Sequence, residues 1–192
     1  MDQARLFWAV NLPAEIKTKL ASLRSLMRGV PVDVKWVEQQ NLHLTVKFMG
    51  DVDRTKINDT VQAVKLAAAG SGPISLELHG TGFFPHSRQP RVIWVGVRGE
   101  VEKFRRLHQL VEKSLIAFGF PPDGKGFSPH LTVGRVRSPK GVGDLVQKIL
   151  TVTQESACFG RVDVTTIELM ESELTRRGPV YSVVDGVTLS GV

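Results

Sequence analysis

The tetrapeptide His-Leu-Thr-Val stands twice in this 192-residue chain, as His43-Leu44-Thr45-Val46 and as His130-Leu131-Thr132-Val133. Imidazole titrates near neutrality, so a facing pair can act as one acid and one base at physiological pH. Hydroxyls beside them can hydrogen-bond phosphoryl oxygens. In-line displacement at phosphorus suits such a set. One imidazole takes a proton from the attacking water or hydroxyl, and the other returns a proton to the departing ribose oxygen. The sequence leaves the two parts interchangeable between His43 and His130. Arg135, three residues after Thr132, would add positive charge beside a developing phosphorane. Lys47 follows His43 and Thr45 at strand spacing, which predicts it on their face as a weaker candidate for the same task.

Other chemistries find less support. Neither motif His has a partner His or carboxylate at zinc-like spacing, and His-Glu-x-x-His is absent. The chain also lacks a Gly-x-x-x-x-Gly-Lys-Ser/Thr loop for nucleotide phosphates and a Gly-x-Ser-x-Gly elbow for acyl transfer. His108, beside Arg105 and Arg106, reads as a solvated position on a helix. His79 and His86, which bracket a Gly-containing loop, read as structural or solvated, with a place at a cleft edge as the alternative. Cys158, the single cysteine, excludes an internal disulfide and reads as a small buried hydrophobe near a strand.

The motifs need strands to carry them. Each sits in an apolar–polar alternation, which puts His and Thr on one face and Leu and Val on the other. Leu6 to Val10 predicts a buried strand. Pro13 opens a helix with Ile16, Leu20, Leu23 and Met27 inward. Strands follow at 34–37 and 42–48, then a helix over 54–69. Further strands are predicted at 74–78 and 91–97, and a helix over 100–118 carries Val101, Phe104, Leu107, Val111 and Leu115 on one face. The polar loop 121–129 delivers the second motif. A short helix at 145–150 and strands at 162–170 and 181–187 complete the chain. Short strand-to-strand links favour antiparallel pairing, and the repeated motif suggests two related lobes without a linker between them.

The composition is that of a globular protein: 42% of residues are hydrophobic, and 25 Lys and Arg face 19 Asp and Glu for a net charge of +6. A basic surplus favours a polyanionic partner such as RNA. No apolar run is long enough for a membrane span, and the N-terminus lacks the basic start and long apolar stretch of a signal peptide. A soluble, cytoplasmic, monomeric protein is expected.

The paired His-x-Thr-x motifs resemble those of the 2H phosphoesterase superfamily, in particular its RNA 2′,3′-cyclic phosphodiesterase (2′-5′ RNA ligase) branch. The likeness extends to Arg5-Leu6-Phe7 with Leu12-Pro13, to Trp36-Val37, and to Asn41 through Gly50. It continues in Gly82-Phe83-Phe84-Pro85, Pro90 through Trp94, Phe127 through Arg135, Glu171 through Leu174 and Gly178 through Tyr181. The resemblance implies an α+β fold in a single domain over 1–192. Its two pseudo-symmetric lobes would each hold an antiparallel sheet flanked by helices, with the active-site cleft between them. It further implies hydrolysis of RNA 2′,3′-cyclic phosphate ends to a 2′-phosphomonoester with no metal or other cofactor. His43 would then be the proton donor to the leaving 3′-oxygen and His130 the proton acceptor. Thr45, Thr132 and Arg135 would contact phosphate, and Phe7 would stack on the terminal base. The substrates would be RNA ends, such as those of tRNA fragments, or small nucleotides. Two alternatives are compatible with the sequence: the reverse, ligating reaction joining RNA halves, and a non-catalytic RNA-binding module.

Overall fold

The computed structural model describes residues 2–27, 29–124, 126–155, 158–176 and 178–191. The chain runs β1 (Gln3–Asn11), α1 (Ala14–Leu26), β2 (Val34–Trp36), β3 (His43–Asp53), α2 (Ile57–Ala68), β4 (Ile74–Phe84), β5 (Val92–Gly99) and α3 (Val101–Ala117). It then continues through β6 (His130–Val136), α4 (Val142–Glu155), β7 (Cys158–Val164), β8 (Thr166–Thr175) and β9 (Gly178–Thr188). The strands form two sheets, ordered β3-β1-β8-β9 and β2-β6-β5-β4-β7. Every neighbouring pair is antiparallel. With helices packed against both, this is the expected α+β architecture of two antiparallel sheets.

The sheets do not follow the chain halves. β2 leaves the first half to pair with β6, Lys35 standing opposite Arg135. The C-terminal strands β8 and β9 return to complete the first sheet. The sequence pattern suggests one continuous strand over 162–170, but the run breaks at Thr165, where the chain passes from the second sheet to the first. Alternation alone does not report such a crossing, because residues on both sides keep their inward apolar positions.

One apolar cluster runs through both sheets, from Leu6, Trp8 and Leu44 to Leu78, Val95 and Leu131. The helices close it with the stripes their spacing predicts. α3 buries Phe104, Leu107, Val111 and Leu115 and packs on α2, whose Val61, Val64, Ala67 and Ala68 are inward. Gly119, at φ 86°, ends the α3 turn in the left-handed region that glycine adopts without a Cβ clash. α4 is longer than predicted, burying Leu145 and Ile149. Cys158, expected inside, is exposed at the start of β7. Among the described residues no helix is long and apolar enough to cross a membrane.

Candidate active site

The two motif strands, β3 at the edge of the first sheet and β6 within the second, come into contact where the sheets meet. Each begins at its histidine. Nδ1 of His43 lies 2.8 Å from the Asn41 carbonyl, and Nδ1 of His130 lies 2.7 Å from the Ser128 carbonyl. A carbonyl only accepts, so Nδ1 must carry the hydrogen in both rings. That leaves Nε2 as the free lone pair of each neutral imidazole. Thr45 Oγ1 stands 3.1 Å from His43 Nε2 and donates to it in this state. The same anchor, two residues upstream, thus fixes the tautomer of both histidines.

Aromatic rings frame each imidazole. His43 packs on Phe7 at 4.8 Å and meets Tyr181 edge-on at 5.5 Å. His130 meets Phe84 at 4.9 Å and Trp94 at 6.5 Å. Burial lowers the His43 pKa from its ordinary value; the Asn41 carbonyl opposes this more weakly, and the charge of Lys17 adds to it. The free protein therefore favours a neutral His43.

A β-bulge follows the Thr of each motif. Thr45 pairs with Ala9 and Lys47 with Trp8, leaving Val46 unmatched. Thr132 pairs with Trp94 and Gly134 with Ile93, leaving Val133 unmatched. An extra residue inverts the alternation beyond it. In β6 the inversion turns Gly134 inward, where an added Cβ would lie 3.0–3.3 Å from Val34, Trp36 and Ile93, and leaves Arg135 exposed on the outer face. In β3 it turns Lys47 inward. Lys47 is 3% exposed, ion-paired with Glu112 of α3, and donates to the Pro121 carbonyl at 3.4 Å. The expectation that Lys47 shares the face of His43 and Thr45 is thereby corrected. Phe48 takes the outward position that the flat strand would have given Lys47, and its ring is 61% exposed.

Arg135 reaches the first sheet electrostatically. The Tyr181 phenol is pushed up by burial, while Arg135 and Arg5 pull it the other way. Tyr181 in turn touches both His43 and Phe7. Phe7 itself departs from its expected part. Only 3% exposed beneath His43, Tyr181 and Phe48, it is the floor under the imidazole and offers no open ring to a base. Phe48 and Tyr181 are the more accessible rings on that face.

His108 is also corrected: it is buried, stacked on Phe127 and bonded to the Val46 carbonyl. His79 meets the Arg98 guanidinium at 3.2 Å, and His86 accepts the Gln89 amide in the β4–β5 turn. Sequence reasoning missed Asn41, whose carbonyl holds His43 while its side chain donates to the Pro179 carbonyl at 2.8 Å. It also assigned no part to Tyr181, Phe84 or Trp94, although these lie in the stretches that carried the family resemblance. Among the described residues no three His, Cys, Asp or Glu side chains gather so as to hold a metal ion.

Gly82 makes room for one wall of the site. It pairs with Trp94, and a Cβ placed there would lie 2.1 Å from the indole. Gly82→Val is expected to displace Trp94 from beside His130 and to destabilise the fold by about 1–3 kcal/mol through overpacking. Urea unfolding checks the stability change, and Trp fluorescence reports the displaced ring.

Two motif strands meeting where two antiparallel sheets join, each led by a histidine anchored through Nδ1, define a two-histidine architecture. The 2′-5′ RNA ligase superfamily profile matches residues 12–176, and the chain belongs to that superfamily, the 2H phosphoesterases. Its curated relatives include an RNA 2′,3′-cyclic phosphodiesterase of Archaeoglobus fulgidus, 38% identical over 178 residues, covering 92% of this chain and 96% of the relative. Another, from Methanothermobacter thermautotrophicus, is 33% identical over 94% of this chain and 96% of its own length. Among solved structures, TT0787 of Thermus thermophilus superposes with a TM-score of 0.77 at 29% identity, covering 97% of this chain and 98% of that one. E. coli LigT complexed with 3′-AMP gives 0.74 at 25% identity, covering 98% and 99%.

Proposed function

We propose that this protein hydrolyses RNA 2′,3′-cyclic phosphate ends to 2′-phosphomonoesters, with His43 and His130 as the acid–base pair. The observation that carries the reading is the matched pair of imidazoles, each anchored by a carbonyl two residues upstream so that Nε2 is the working atom. His130 Nε2 takes a proton from water as its oxygen attacks phosphorus. The phosphorus–O3′ bond breaks in line, and the His43 imidazolium gives its Nε2 proton to O3′. The Asn41 and Ser128 carbonyls hold both rings in register and stabilise whichever is cationic. Thr45 and Thr132 donate to the non-bridging oxygens, and Arg135 balances the charge that accumulates there. Water at its bulk concentration favours hydrolysis over the ligating reversal, in which a 5′-hydroxyl would replace it.

The substrate is an RNA end, in keeping with the net charge of +6 and the exposed Phe48 on the first motif strand. One chain carries both histidines, so action as a monomer is part of the proposal. A cytoplasmic setting is part of it too, in keeping with a single cysteine and an RNA substrate. Incubation with a short RNA ending in a 2′,3′-cyclic phosphate, in chelator, should yield the 2′-phosphate alone. A 3′-phosphate product, or no turnover, refutes the reading.

The lowered His43 pKa gives a second test. As the donor, His43 must be protonated, yet burial makes it lose its proton already below the ordinary value of 6.5. A bound phosphate anion favours the imidazolium and raises that pKa. The His43 ring is expected to titrate below 6.5 in the free protein and at higher pH with inorganic phosphate bound, as read by imidazole NMR. A midpoint that phosphate leaves unmoved would remove His43 from the phosphate site.

A further inference from the structure

The polar residues of α3 take no part in the chemistry above, yet they touch the first motif and the approach to the second. His108, 8% exposed, has its Nδ1 2.9 Å from the Val46 carbonyl. Val46 is the unmatched residue of the first bulge, and a backbone carbonyl there needs a donor from elsewhere when buried. The other side of the relation is the His108 ring, which lies flat on Phe127 with centroids 4.0 Å apart and planes 7° off parallel. Phe127 immediately precedes Ser128, whose carbonyl anchors His130.

One turn along α3 the pattern repeats. Glu112 is paired with Lys47, the residue just after the bulge, and its Oε2 accepts the Asp123 amide at 3.2 Å. Lys47 also donates to the Pro121 carbonyl. A single helix face therefore holds the end of the first motif at residues 46 and 47 and the approach to the second at residues 123 and 127, with Lys47 itself reaching residue 121. No ladder joins β3 to β6, since they belong to different sheets. Bracing of this kind adds to the β2–β6 ladder and to the bond of the Val37 amide to the Val133 carbonyl in setting the separation of the two imidazoles.

We infer that His108, supported by the Glu112–Lys47 pair, is a positioning residue that fixes His130 relative to His43. It acts through the Val46 carbonyl on one side and through Phe127 and Ser128 on the other, and touches no reacting atom. This rests on the two-histidine reading above. Acid–base catalysis across one phosphorus tolerates little misplacement, so loosening the brace costs turnover and spares binding.

Two variants separate the halves of the brace. H108F keeps a flat ring on Phe127 and loses the donor; F127L keeps the donor and loses the stack. Each is expected to lower kcat on a 2′,3′-cyclic nucleotide about tenfold, with KM changed less than about twofold. The double variant should fall about as far as the worse single one, because both break the same connection. Long-range ¹H–¹⁵N NMR should show the His130 ring passing from a single Nδ1–H tautomer in the wild type to a mixture in each variant. Should H108F fail to fold, H108Y, which also keeps a flat ring and has no donor at the Nδ1 position, is measured in its place. The NMR readout needs no turnover, so an inactive wild type would refute the proposed reaction while leaving the brace tested. Unchanged kcat in the variants, or independent losses with the His130 tautomer intact, overturns the inference.

Discussion

His130→Ala and His43→Ala are each expected to lower kcat on a 2′,3′-cyclic phosphate by at least about 10²–10⁴, the share of a single general acid or base. The loss should reach the upper end of that range, because proton removal from water and proton delivery to O3′ belong to one displacement. An enzyme lacking the acceptor leaves the donor with little to assist. For the same reason the double alanine variant should lose little more than the worse single one. KM should change only a few-fold, since Thr45, Thr132 and Arg135 remain to hold the phosphate. Steady-state kinetics on a purified cyclic nucleotide checks all three statements. A variant retaining more than about a tenth of wild-type kcat would remove its histidine from the chemistry.

Glu112→Ala is expected to cost about 3 kcal/mol of stability. Lys47 is 3% exposed, so deleting its partner leaves an ammonium inside the protein without a counter-charge. Breaking a buried pair typically costs about 3–5 kcal/mol, and the 16% exposure of Glu112 puts this case at the low end. For a chain of this size the melting temperature should fall by about 6–12 °C. Replacing both partners, as in K47M/E112L, should recover most of the loss, because no uncompensated charge then remains. Chemical denaturation of the single and double variants decides it. A loss below about 1 kcal/mol in Glu112→Ala would mean that water reaches the ammonium.

The strands, helices and paired motifs were legible because period and composition agree at each of them. The bulges were not, since Thr45-Val46-Lys47 reads as an ordinary alternating strand and nothing in it marks an unmatched residue. That single slip took Lys47 out of the site. It also makes sense of Arg135, which at i+3 from Thr132 would face away in a flat strand and is turned outward by the bulge at Val133. His108 was misread from its arginine neighbours, although its spacing from Phe104 and Val111 places it on the buried stripe of α3. Tyr181 belongs to a strand far along the chain, and only the return of β8 and β9 to the first sheet brings it to His43.

The excursion of β2 into the second sheet has a consequence for how substrate enters. β2 is tied to α1 on one side and, through the short segment 37–42, to β3 on the other, while its ladder partner is β6. Swinging the lobes apart like a clam shell would have to strip Trp36, Lys35 and Val34 from Gly134, Arg135 and Val136, beside the groups proposed to hold the phosphate. The proposed reaction must therefore run without a wide parting of the two sheets, and the β2–β6 ladder is expected to hold His43 and His130 at one spacing with and without substrate.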